Sequence, residues 1–239
     1  MPDPDERTSG WGDAASLAAQ QSVVGALEPA SWSPPPGVAV AGCVVAFARG
    51  EQGPGRSGDR ALVGAALMEA RRGLVGAEVI DGRAGGPYVP GLLAMREGRL
   101  LVSSLRELSE HVRRPDALMV DATGRDHPRR CGLAVHLGWV LDVPSVGVTH
   151  RLLTDRRQQP PPLSLRGESQ VIALDDEPVA AWLCTRDGVR PVVVHAGWRT
   201  DVATAIEIAL AFSTVARTPE PLRQARRLAR EERAQVEGR

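Results

Sequence analysis

Apolar positions along the chain recur with two different periods. In 14–27, Leu17, Val24 and Leu27 keep helical spacing, and Asp13 stands ahead of them as a cap. The Ser-Pro-Pro-Pro-Gly run at 33–37 breaks that pattern. Residues 38–48 are small or β-branched, as in a buried strand. A Gly/Arg loop at 49–60 precedes two further strands, 61–69 and 76–81, around the turn at Arg72-Gly73. Three strands with short loops predict an antiparallel meander. The period then changes. A glycine-flanked loop at 85–91 leads into helical spacing over 92–112, interrupted at Gly98. A short apolar run, 117–121, ends in Asp121; 127–141 reads as a helix and 143–148 as a strand. Strand, helix, strand is the signature of a parallel crossover. A polar loop at 151–168 precedes late strands at 171–174, 179–184 and 192–195. An apolar helix follows at 201–211, capped by Thr200 or Asp201. No repeat and no linker divides the sequence. The expectation is one α/β domain over 1–239 with a mixed sheet, its ends at 1–12 and about 219–239 frayed or, at the second end, an Arg/Glu helix.

Composition narrows the class. Basic and acidic residues number 29 each, so the net charge is zero, and 43% of residues are hydrophobic. That excludes a polybasic coat and an acidic disordered tail, though not a local basic groove. Lysine and asparagine are absent from the sequence, as a GC-rich genome would produce, so every fixed cation is arginine. The polar start is no secretory signal, and the longest apolar run is too short to span a bilayer. Cys43, Cys131 and Cys184 lack zinc-site spacing and read as reduced thiols of a cytoplasmic, non-membrane protein, expected to be a monomer.

Functional groups in open α/β sheets collect at strand ends and helix starts. Asp121 ends an apolar strand beside small residues, where a carboxylate faces a crevice and can hold a divalent ion; a turn or cap acid is the plainer reading. Glu97 lies on the helix after the 85–91 loop and is otherwise a solvated helix acid. Asp126-His127-Pro128-Arg129-Arg130 opens a predicted helix, whose amides and arginines suit a phosphate, or are merely a capped helix with surface arginines. Tyr88, the one tyrosine, sits in Pro87-Tyr88-Val89-Pro90, a stiff mount for a ring that stacks on bases or wedges a duplex, or for one that tucks against the sheet.

Two segments carry a family resemblance. Residues 87–97, PYVPGLLAMRE, resemble the PYIPGFLSFRE segment of endonuclease V. Residues 120–132, VDATGRDHPRRCG, resemble its VDGxGxxHPRRxG segment, and 143–148 is similar to its VPTIGVAK strand. The resemblance implies an RNase H-like fold, Mg2+ as cofactor, and cleavage of DNA or RNA near a deaminated base, chiefly inosine. It implies that the metal is held by an Asp on the first strand, an Asp on the fourth and a Glu on the intervening helix. Position by position, Glu97 and Asp121 match the metal residues, and Tyr88, Pro90 and Gly91 the wedge. Gly124, His127, Arg129, Gly132, Leu133 and Leu153 match the base pocket or neighbouring nucleic-acid contacts. Ala122 replaces a pocket glycine.

The departures converge on the metal. The family's first strand reads AGADVGF; here 41–47 reads AGCVVAF, so Val44 stands at the aspartate position. His150 replaces a lysine of the catalytic site, Trp198 a histidine, and Ala203 falls near an acidic position. Asp121 and Glu97 could still hold a metal weakly through waters, His195, Asp201 or His150 could supply a replacement ligand, and Trp198 could stack or plug the crevice. The expectation is therefore an endonuclease V-like protein that recognises inosine in DNA or RNA and is impaired in cleavage. The alternatives are an active Mg2+-dependent repair endonuclease and a non-catalytic scaffold.

Overall fold

The computed structural model describes residues 3–48, 55–153 and 159–238. Parts of the two loops expected at 49–60 and 151–168 lie outside the described residues. Strands β1 (Ala39–Phe47), β2 (Arg60–Glu69) and β3 (Gly73–Arg83) form the antiparallel meander. β4 (Ala117–Val120) runs parallel to β1, and β5 (Ser145–Thr149) parallel to β4, through the crossover helix α4 (Leu133–Leu141). β6 (Ser169–Leu174), β7 (Glu177–Leu183) and β8 (Val192–Ala196) complete a sheet of eight in the order β3-β2-β1-β4-β5-β8-β7-β6.

Alternation along β1 divides the core. Ala39, Ala41 and Cys43 pack with α2 (Ala14–Gly25), α3 (Arg99–His111) and α4. Val40 and Val44 face α5 (Val202–Ala211) and α6 (Glu220–Glu237). α6 lies directly on β1 and β2 because the strands offer glycine there. A Cβ on Gly42 would stand 2.3 Å from the Pro221 backbone, and one on Gly64 2.2 Å from the Ala225 carbonyl. Leu222, Ala225 and Ala229 fill the seam, and burying the leucine alone contributes about 1.5–3 kcal/mol.

Two expectations are corrected, the frayed first end and the helix start at 127. The chain ends are helical where described. Pro4–Thr8 forms α1, Ser9–Gly12 a 3-10 turn, and Trp11 is buried against Gly98. At the other end, α6 follows the Arg/Glu-helix reading rather than the frayed one. The helix expected over 127–141 begins only at Leu133, with Gly132 as its N-cap. The Asp126–Arg130 stretch is instead a set of turns in which Arg130 takes φ +55°. A helix-start phosphate site therefore does not form there, and Arg130 pairs with Asp175 and Glu177. The predicted caps Asp13 and Asp201 do form, each accepting a backbone N–H at 2.7 Å. All three cysteines are buried free thiols.

Candidate nucleic-acid interface

The strand ends of β4 and β5 open into a cavity of about 420 Å³, within the range of small-ligand sites. Tyr88, Gly91, Asp121, His127, Gly132, Leu133, His150 and Leu153 all line it, so the structure gathers eight of the sequence-predicted residues around one space. Glu97, Pro90, Gly124 and Arg129 do not line it. Pro90 is exposed on the loop. Gly124 is packed so tightly that a Cβ would meet the Ala196 carbonyl at 2.0 Å. That glycine lets the 121–132 segment lie against β8.

His127 ties the two motifs together. Its Nδ1 accepts the Arg129 backbone N–H at 3.1 Å, so the proton sits on Nε2, which donates to the Gly91 carbonyl at 3.0 Å. Burial holds the imidazole below its ordinary pKa, and the neutral ring suits this bridging role. The Tyr88 loop is thus hung from the Asp121 segment by one histidine, with the Tyr88 ring half-buried at the rim.

Glu97 sits in a single π-helical turn, Ala94–Gly98, that runs into α3. Arg96 anchors this turn through a buried pair with Asp59 at 2.8 Å and stacks on Phe47. Burial is the main cause that pushes the Glu97 carboxyl up to about 7; Arg96 opposes the shift and Asp121 adds to it. Cys43 is likewise raised to about 12 by burial, with Asp121 and Glu97 contributing. The two carboxylates therefore share one electrostatic neighbourhood at the end of β1.

Val44 occupies that neighbourhood. The last parallel pair joins Cys43 to Val120, so the next step along both strands brings Val44 beside Asp121. Val44 is 7% exposed and packs among Ala66, Leu222 and Ala225 on the α6 side. On the same side, Arg226 of α6 donates to Asp121 Oδ2 at 2.6 Å.

The proposed substitute ligands are otherwise engaged. His195 is fully buried: Nδ1 donates to Asp126 Oδ1 at 2.7 Å, and Nε2 lies 2.8 Å from the Thr149 hydroxyl. Burial raises the Asp126 carboxyl, but the His195 charge and hydrogen bond and two backbone N–H groups outweigh it, and the net shift is downward. Asp201 is spent as the α5 cap. His150 is exposed and its Nε2 lies 3.0 Å from the Thr218 hydroxyl. Partial desolvation of the ring at this rim and the charge of Arg217 lower its pKa, so it does not reproduce a lysine's fixed charge. Trp198 neither stacks in nor plugs the cavity; it packs in a small core cluster with Val24, Cys131 and Val135.

A family model described as endonuclease V matches residues 28–227. The chain belongs to the endonuclease V family. Endonuclease V of Dictyoglomus thermophilum is 42% identical over 139 residues, 58% of this chain and 59% of that protein. Endonuclease V of Roseiflexus castenholzii is 43% identical over 143 residues, 60% and 62% of the two chains. These matches span about three-fifths of the relatives' lengths. The likeness of fold runs further. The catalytic domain of human endonuclease V is 27% identical with a TM-score of 0.82, over 94% of this chain and 97% of that one. A Ciona intestinalis endonuclease V, solved with a 24mer DNA containing an inosine followed by a ribo-adenosine, is 22% identical with a TM-score of 0.79, over 93% and 98%. The mixed sheet and its flanking helices are thus the RNase H-like fold of this family.

The family implies a divalent metal, and the residues present here do not fit one. Valine offers no donor at the β1 position, and Asp121 is paired with an arginine. Among the described residues no group of three or more His, Cys, Asp or Glu is arranged to hold a metal ion. Sequence reasoning missed Arg226 and the Asp126–His195–Thr149 chain. Arg226 carried a signal in the helical spacing of Arg223, Arg226, Arg227 and Arg230, but its partner is 105 residues away in sequence.

Proposed function

We propose that this member of the endonuclease V family recognises a deaminated base, inosine, in a DNA or RNA strand and is impaired in cutting it. The observation that carries the proposal is the contrast at one set of strand ends. Beside a cavity lined by Tyr88, His127 and Gly132, the position of the β1 acid that the resemblance implies holds Val44, and Asp121 is held by Arg226. Inosine enters this reading from the motif resemblance and from the Ciona relative's inosine-containing DNA. The flipped base would lie in the cavity, with the Tyr88 ring filling the gap it leaves. Without a built metal site, the chain lacks the metal ion that would offset charge developing on a scissile phosphate and activate a water.

The test is cleavage and binding of an end-labelled strand carrying one inosine, with Mg2+ and with Mn2+. Binding that prefers inosine over an unmodified strand, with little or no cutting, is expected. Tyr88→Ala should reduce that preference. Robust cutting at a fixed position relative to inosine overturns the impairment, and equal affinity for both strands overturns the recognition.

A further inference from the structure

The Asp121–Arg226 pair is the boundary between two spaces. Asp121 lines the cavity; Arg226 lines an open groove of about 580 Å³ along α6. His150 and Thr218 make a second such join, one residue in each space, 3.0 Å apart. Five arginines line the groove, Arg217, Arg223, Arg226, Arg227 and Arg230, against one acid, Glu231. Arg223, Arg226, Arg227 and Arg230 follow the i, i+3, i+4, i+7 pattern and share a helix face. Like charges at i, i+4 work against helix stability, and this face contains two such pairs. Local acids relieve part of the repulsion: Glu220 pairs with Arg223 and Glu231 with Arg227. Arg230 is exposed and has no ion pair or hydrogen bond among the described residues. Arg226 gives Asp121 one N–H and keeps other donors for a second oxyanion.

We infer that the α6 groove is a track for the phosphodiester backbone of a nucleic-acid strand, with Arg226 binding the phosphate nearest the cavity. This rests on the reading of the cavity as a base site, and it adds a metal-free phosphate site that runs away from it. The packing of α6 favours nucleic acid over an anionic membrane as the occupant. The apolar stripe of α6, Leu222, Ala225 and Ala229, is buried on the sheet, so the helix has no apolar face left to insert.

The experiment measures affinity of the full chain for two labelled single strands, one unmodified and one with a single inosine. EDTA is present and salt runs from 50 to 200 mM. Arg230→Gln touches no partner and Arg226→Gln/Arg230→Gln removes both central cations. An exposed pair at the β2–β3 turn, Arg71→Gln/Arg72→Gln, is the control. Each lost single-strand phosphate contact should flatten the slope of log affinity against log salt by about 0.7. The double variant should therefore lose about 1.4 of slope, equally on both strands, with inosine preference kept. The track is refuted if the double variant matches the control pair, if wild-type protein binds neither strand at the lowest salt, or if it binds phosphatidylserine vesicles as well as the oligonucleotide. Loss of inosine preference with the groove effect intact would instead remove the base-site reading and leave the track standing.

Discussion

Val44→Asp is the substitution that most directly interrogates the site. The valine is 7% exposed in a seam with Ala66, Leu222 and Ala225, so the change removes apolar burial worth about 1.5–3 kcal/mol. It also places a carboxylate one strand away from Asp121, where Arg226 is the nearby counter-charge. Together these should destabilise the metal-free protein by roughly 2–4 kcal/mol. For a chain of this size that lowers Tm by roughly 5–15 °C. The new acid also restores the pair of strand carboxylates that the family resemblance implies. A divalent ion at ten times its dissociation constant returns RT ln 11, about 1.4 kcal/mol, or roughly 3–6 °C in Tm. Thermal unfolding of wild type and variant in EDTA, in Mg2+ and in sodium chloride of matched ionic strength separates the terms. The variant should gain a Mg2+-dependent rise and wild type should show none. A wild-type rise as large as the variant's would refute the claim that these residues do not fit a metal. A variant insensitive to Mg2+ would refute the assignment of Val44 as the missing position.

Glu97 predicts a pH dependence of stability. Burial raises its pKa from 4.5 to about 7, so the folded state keeps a proton that the unfolded chain releases earlier. Stability from this group is present below about 4.5 and is lost as pH rises through about 7, by up to about 3 kcal/mol. Glu97→Gln should therefore gain on wild type between pH 5 and pH 8 in urea midpoints; a constant difference would contradict the buried-acid reading. The Asp126–His195 pair should be strongly coupled, with Asp126→Asn costing about 3 kcal/mol because His195 keeps a buried donor without its anion. In a double-mutant cycle with His195→Gln the two losses should fall well short of additive, and simple additivity would mean the pair is not a unit.

Strand alternation made the sheet legible because it follows from burial on one or both faces. β1 and β2 read as continuous apolar runs because helices cover both sides of them. The helix expected from His127 was misread for a local reason. An acid and a proline followed by two arginines imitate a capped helix start, yet the side chains serve turns: His127 accepts the Arg129 backbone N–H and donates across to the Gly91 carbonyl. Most cavity residues were found through motif resemblance, since composition alone left Tyr88 and Asp121 with ordinary structural readings. What the pattern could not supply was pairing across the fold. Trp198 was expected at the crevice, but its position after β8 turns it toward α2 and α4. Asp126 and Thr149 occupy both ring nitrogens of His195, which leaves it no nitrogen for a metal.

The same distance effect explains why the arginines of α6 read from sequence as a salt-bridged surface helix. Two of them are: Arg223 and Arg227 find acids within four residues. Arg226 does not, and its acid is the carboxylate that the family resemblance gives to a metal. The exposures of the two side chains, 23% and 41%, make this a partly solvated pair worth on the order of 1 kcal/mol or less. Such a pair is too weak to be the reason α6 docks, which Leu222, Ala225, Ala229 and the two glycines under them already explain. It is strong enough to orient the guanidinium at the cavity mouth and weak enough for a phosphate to draw it away. With valine on β1, the Asp121 carboxylate holds an arginine, and on the function proposed above this end of the sheet presents a fixed cation to an anionic strand in place of a divalent-metal site.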